Sequence, residues 1–144
     1  MHSMVEYFLD TNIFMYAAGK PHEFKEPCVS ILSKVQSGEL SAAIDTEVIQ
    51  EILYRYHHIN LADKGLALAW NIMDIGLNVF TVTEKEIEIS LYLYQQYNKR
   101  GVSPRDIIHV AVMMGEGLDK IVSVDRHFDI IEEVDRIDPF ELGL

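Results

Sequence analysis

"YFLDTNIFMYAA", residues 7–18, decides the fold. The apolar run from Tyr7 ends on Asp10, and apolar residues resume only after Thr11 and Asn12. A buried strand that exits into a helix accounts for this order. Tyr7 to Leu9 form the strand, a helix starts over Phe14 to Ala18, and the three polar residues occupy the turn, where a carboxylate or hydroxyl can cap free amides. Gly19, Pro21 and Pro27 break the pattern that follows.

Working outward, the same alternation recurs. Val29, Ile31, Leu32 and Val35 have the spacing of an amphipathic helix over Cys28 to Val35, and "SAAI" at 41–44 is a weak second strand. A helix from Thr46 to His57 carries the stripe Val48, Ile49, Ile52, Leu53 and Tyr56. Another covers Leu61 to Ile75 and stops at Gly76, before the β-branched and aromatic strand "NVFTV" at 78–82. Thr83 and Glu86 have capping-box spacing, which predicts a long helix from Glu84 to Lys99 ending at Gly101. Ser103, Pro104 and Arg105 open a helix, "DIIHVAVMM", that is apolar nearly all round and so deeply buried. "KIVSVD" at 120–125 is a fourth strand and "RIDPFEL" at 136–142 a last edge strand. Strands alternating with helices, with no in-out alternation in "IVSV", predict an α/β fold whose parallel sheet is covered on both faces.

With 144 residues, 49% of them hydrophobic, the chain fits one domain spanning 1–144. It has no apolar stretch of bilayer length, and "MHSMVEYFLD" lacks the marks of a leader, so a cytoplasmic protein is expected. Cys28 is the only cysteine, which excludes an intrachain disulfide and a thiolate metal cage. It reads as a small buried hydrophobe. A net charge of −11 argues against a simple nucleic-acid-binding module. An enzyme that meets phosphates through divalent cations is compatible with it, because the acids that hold such ions add to the charge.

The positions of the acids therefore matter. In open α/β sheets ligands bind beyond the carboxyl ends of the strands, where Asp10 and Asp125 fall. Taken singly, each reads first as a helix cap or turn residue. Asp106 has the Ser-x-x-acid spacing of a capping box with Ser103, yet it leads a buried helix, where a carboxylate needs amides or a cation as partner. On the helix from Thr46 to His57, Glu47 points away from the apolar stripe, whereas Glu51 lies on its flank and can also pair with Arg55 at i+4. Should the four carboxylates converge, like charges so close require neutralisation, and oxygen donors alone suit Mg²⁺ or Mn²⁺. Thr11 and Asn12 are then supports that orient Asp10, or else caps of the next helix. His109 reads as a hydrogen-bonded core residue, His57 and His58 as helix-end groups, and His127 as a possible neighbour of the site.

"LDTN" at Asp10, "EVIQEILYR" at Glu51, "SPRDIIHVAVM" at Asp106 and "IVSVDRHF" at Asp125 together resemble the PIN-domain ribonucleases, especially the VapC-like toxins of prokaryotic toxin–antitoxin pairs. The resemblance runs from about Tyr7 to Phe128. It implies a three-layer α/β/α sandwich and metal-dependent cleavage of RNA, with Asp10, Glu51, Asp106 and Asp125 as catalytic, metal-holding acids and Ser123 beside Thr11 and Asn12 in support. Asp10 and Asp106 would bind the ion directly, and Glu51 and Asp125 would hold it through water or position a second ion. Arg105 and Arg126 would contact the RNA backbone or else be solvated surface arginines. A homodimer and a small antitoxin partner are further implications. Two departures stand out: His127 occupies a place where many members have an acid, and Glu47 competes with Glu51.

Three other readings share parts of this pattern. A receiver-like phosphoacceptor also gathers acids at strand ends, but it has a lysine after its last strand, whereas Lys120 precedes one here. A dehalogenase-like phosphatase has a second Asp where this chain has Asn12. A PIN-like scaffold without catalysis would keep the fold and lose the chemistry.

Overall fold

The computed structural model describes residues 5–143; residues 1–4, read above for a leader, lie outside them. The first strand, β1 (Tyr7–Leu9), leads straight into α1 (Thr11–Ala18), so the helix starts three residues earlier than the apolar pattern predicts. Asp10 explains the early start, because its carboxylate caps the first amide at Thr11. After the Gly-Pro break comes α2 (Lys25–Gln36), with Pro27 in its first turn, where a missing N–H costs nothing. Then follow β2 (Ala42–Asp45), α3 (Thr46–His58), α4 (Ala62–Asp74), β3 (Asn78–Phe80) and α5 (Glu84–Tyr97). The Thr83–Glu86 capping box forms as expected. A 3₁₀ turn extends α5 to Arg100, and Gly101 closes it in the left-handed conformation, φ 85°.

The last third contains α6 (Pro104–Glu116), β4 (Lys120–Val122), a 3₁₀ turn over Arg126–Ile130, β5 (Asp135–Ile137) and α7 (Pro139–Gly143). Three strand predictions need correction, the first being "KIVSVD", which is a strand only to Val122. "NVFTV" pairs only as far as Phe80, because its neighbour β2 turns into α3 after Asp45. "RIDPFEL" is a strand only to Ile137; Asp138 then caps the amide of Phe140 and Pro139 opens a helix.

The five strands form one sheet in the order β3-β2-β1-β4-β5, with every pairing parallel, and the helices complete the three-layer α/β/α arrangement. The chain moves from β1 out to β3, then returns past both neighbours through α5 and α6 to β4 on the other side of β1. The topological switch therefore lies between β1 and β4, and the amide of Asp10 extends their ladder by donating to the Val122 carbonyl at 3.0 Å. Phe8, Leu9, Ile13, Phe14, Ile44, Val110, Ile121 and Val122 are fully buried around this seam. Cys28 joins that core, and burial pushes its thiol up to about 12. No helix among the described residues is long and apolar enough to cross a membrane.

Candidate active site

At the mouth of the seam, Asp10 is 5% exposed. Its Oδ1 accepts from the Thr11 amide at 2.8 Å, and its Oδ2 from Ser123 Oγ at 2.6 Å and Asn12 Nδ2 at 3.1 Å. A carboxylate has about four lone-pair positions, so three hydrogen bonds leave room for one more donor or a cation. Burial raises the pKa of Asp10, against the opposing pull of His109, Ser123 and Thr11. Ser123, fully buried just past β4, also accepts from the Asp125 amide at 3.0 Å and thereby sets the turn that presents Asp125.

Glu51 is buried on α3, while Glu47 one turn earlier is half-buried. The i+4 pair with Arg55 exists at 3.4 Å, but so does a 2.8 Å hydrogen bond from Thr11 Oγ1 to Glu51 Oε1. Burial alone would raise the pKa of Glu51; contacts with His109, Thr11 and Arg55 outweigh it and hold the carboxyl below its usual range. A cavity of about 260 Å³ lies outside, lined by Glu47, Gln50, Glu51, Tyr54 and Arg105. The Arg105 guanidinium sits 5.2 Å from the centre of the Tyr54 ring and 4.0 Å from Glu51 Oε2.

Asp106 is reached through half of a capping box. Its amide donates to Ser103 Oγ at 3.2 Å, while its carboxyl meets Asp125. Burial, and then the charges of Asp10 and Asp125, push Asp106 up to about 7. One ligand atom from each of Asp106, Asp125 and His127 lies within 4.8 Å of the others. Asp125 Oδ1 also accepts from the His127 amide at 2.9 Å and lies 2.8 Å from His127 Nδ1. Asp106, which retains its proton near neutrality and is crowded by the carboxyls of Asp10 and Asp125, makes with them a donor set suited to a hard divalent cation. Arg126 is exposed next to Asp125.

The structure thus brings Asp10, Asp106 and Asp125 together and carries Glu51 to the same mouth through Thr11. The sequence reading missed Asp45 and gave His109 only a core role. His109 is fully buried, with Nδ1 2.7 Å from the fully buried Asp45, but its Nε2 faces Asp10 and Glu51, each at 3.9 Å. Burial opposes charge on this imidazole, yet Asp45, Glu51 and Asp10 hold its pKa well above the usual value. The available signal is "AAID" at 42–45, a strand whose last residue caps the next helix as Asp10 does after β1, whereas the expected strand stops at Ile44.

The PIN-domain family profile matches residues 7–134. Ribonuclease VapC13 of Mycobacterium tuberculosis is 29% identical over 129 residues, covering 90% of this chain and 97% of that protein. Ribonuclease VapC23 of the same species is 26% identical, covering 83% and 92%. Among solved structures, DNA-bound VapBC from Salmonella typhimurium superposes with a TM-score of 0.74 at 19% identity, over 94% of this chain and 99% of that one. VapC20 of M. tuberculosis, described as a sarcin-ricin loop cleaving toxin, gives 0.73 at 15% identity, over 88% and 95%. With that profile spanning nearly the whole described chain and the acids gathered at the sheet's switch point, this chain belongs to the PIN-domain family.

Proposed function

We propose that this chain is a divalent-cation-dependent endoribonuclease and the toxin of a toxin–antitoxin pair. The observation that carries the reading is the meeting of Asp106 with Asp125 and Asp10 in a buried setting, where burial first and then the two neighbouring charges lift Asp106 to about 7. Asp10, Asp106, Asp125 and Glu51 are the residues that would hold Mg²⁺ or Mn²⁺, with His127 offering a nitrogen beside Asp125. A bound divalent cation balances these carboxylates, acidifies water and stabilises negative charge on the scissile phosphate.

The chain's own part is orientation. Ser123 and Asn12 hold one oxygen of Asp10, Thr11 holds Glu51, and the two acids enter the site with their rotamers already fixed. Arg105 and Arg126 are exposed next to Asp106 and Asp125 in the chain, suited to pair with phosphate oxygens. The VapBC structures support a small antitoxin as partner. Leu66, Trp70 and Met73 form an exposed stripe at helical spacing on α4, with Trp70 65% exposed, and support a protein-covered face and a homodimeric assembly. An RNA-cutting enzyme of this kind works in the cytoplasm.

The test is incubation of the purified protein with structured and unstructured RNA, in Mg²⁺ or Mn²⁺ and in chelator. Fragments that appear with cation, vanish with chelator and are absent for Asp106→Asn support the reading. Cleavage that persists in chelator, or intact RNA under every cation condition, removes it.

A further inference from the structure

His109 Nε2 is, among the described residues, the one buried side-chain nitrogen or oxygen without a hydrogen-bond partner. Leaving such an atom unpaired in the interior costs about 1–3 kcal/mol, so packing alone is a poor reason for a histidine here. Everything else about the ring is fixed. Nδ1 meets Asp45 Oδ2 at 2.7 Å, Asp45 uses Oδ1 to accept the Val48 amide at 3.1 Å, and Phe8 packs on the imidazole at 5.3 Å. The ring therefore cannot turn away from what Nε2 faces. That is the gap between Asp10 Oδ1 and Glu51 Oε1, each 3.9 Å away.

We infer that Asp45 and His109 form a buried bracket: Asp45 anchors the ring from the end of β2, and the Nε2 edge sets the separation of Asp10 and Glu51. His109 is thus a positioning residue for the acids, touching neither substrate nor scissile bond. Thr11 spans the same two acids from the opposite chemistry, with its amide on Asp10 and its hydroxyl on Glu51. Two independent braces on one pair of carboxylates indicate that their spacing is what the local sequence is built to hold. Partners that orient a metal's ligands from behind typically change affinity 10–100-fold when removed. The inference rests on the reading of this site as a cation-holding nuclease centre.

Two isosteric variants separate the halves of the bracket. In His109→Asn the side-chain amide overlays Nδ1, keeping the Asp45 contact and deleting the Nε2 edge. In His109→Gln the amide overlays Nε2 and restores it. Calorimetric titration with Mn²⁺ should show roughly 10-fold weaker binding for the Asn variant and recovery to within about threefold of wild type for Gln. In metal-free protein, the ¹³C shifts of the Asp10 and Glu51 carboxyl carbons should move in the Asn variant and return in the Gln variant. Variants with wild-type Mn²⁺ affinity and unmoved carboxyl shifts, differing only in melting temperature, overturn the bracket. If wild-type protein binds no Mn²⁺, the nuclease reading fails, while the carboxyl shifts still decide the bracket by themselves.

Discussion

The Thr11 hydroxyl donates a 2.8 Å hydrogen bond to Glu51 Oε1, joining the first turn of α1 to the middle of α3. This contact separates Glu51 from Glu47. Both lie on one helix a turn apart, but only Glu51 is buried and tied to the helix that Asp10 caps. A polar trio in the middle of an apolar stretch is explained by the same bond: Asp10 caps, Thr11 reaches across, and Asn12 secures Asp10 from the Ser123 side.

Thr11→Val keeps the shape of the side chain and removes the donor. Glu51 would then be buried with one fewer partner, which should cost about 1–2 kcal/mol in urea denaturation at neutral pH. Thr11→Ser should stay within about 0.5 kcal/mol of wild type. Equal stability for Val and wild type would show that water replaces the bond.

Asp106→Asn should separate stability from activity. The substitution removes a charge that Asp10 and Asp125 both repel, so the metal-free protein should gain stability, on the order of 1 kcal/mol. Cation-dependent RNA cleavage should fall to background. A variant that loses both stability and activity would mean that the carboxylate has a structural partner.

Much of this arrangement is legible in the sequence. Asp10 and Asp125 stand at the strand ends where the switch-point rule directs attention, and the near-continuous apolar character of α6 marked Asp106 as leading a buried helix. The Asp45–His109 contact was not readable, because its partners are 64 positions apart and each has an ordinary local explanation, a helix cap and a core imidazole. The ends of β3 and β5 depart from the sequence pattern for a related reason. Propensity favours longer strands there, but pairing stops where the neighbouring strand turns or Pro139 intervenes.

Acidity should act on the metal-free protein in two opposed ways. Asp106 has its folded pKa raised from 3.8 to about 7, so its contribution is full below the unfolded value and is lost as pH rises through about 7. Glu51 is lowered from 4.5, so its contribution is present above that value and is lost as pH falls through the folded pKa. Melting temperature in chelator should therefore peak near about pH 5 and decline toward pH 8. Added Mn²⁺ should raise it more at pH 8 than at pH 5, because a proton on Asp106 competes with the cation. A melting curve flat across this range, with or without Mn²⁺, would contradict the crowding of Asp106.

Two glycines on helices should respond to alanine with opposite signs. Alanine is ordinarily the better helix former by about 1 kcal/mol, and Gly115 on α6 has room for it, since an added Cβ would lie 3.7 Å from Glu86 Oε2. Gly115→Ala should therefore stabilise the protein by about 0.5–1 kcal/mol. Gly65 on α4 has no such room: an added Cβ would lie 2.5 Å from Tyr56 Cβ, and Tyr56 is itself buried on α3. Only a shift of α3 against α4 relieves that overlap, so Gly65→Ala should destabilise by roughly 1–3 kcal/mol despite its better propensity. Because α3 also carries Glu51, the same shift should weaken Mn²⁺ binding measured by calorimetry, although Gly65 is remote from the acids in sequence. Lost stability with unchanged Mn²⁺ affinity would mean that α3 moves as a lever about Glu51, leaving the site end held by Thr11 and the cap at Asp45.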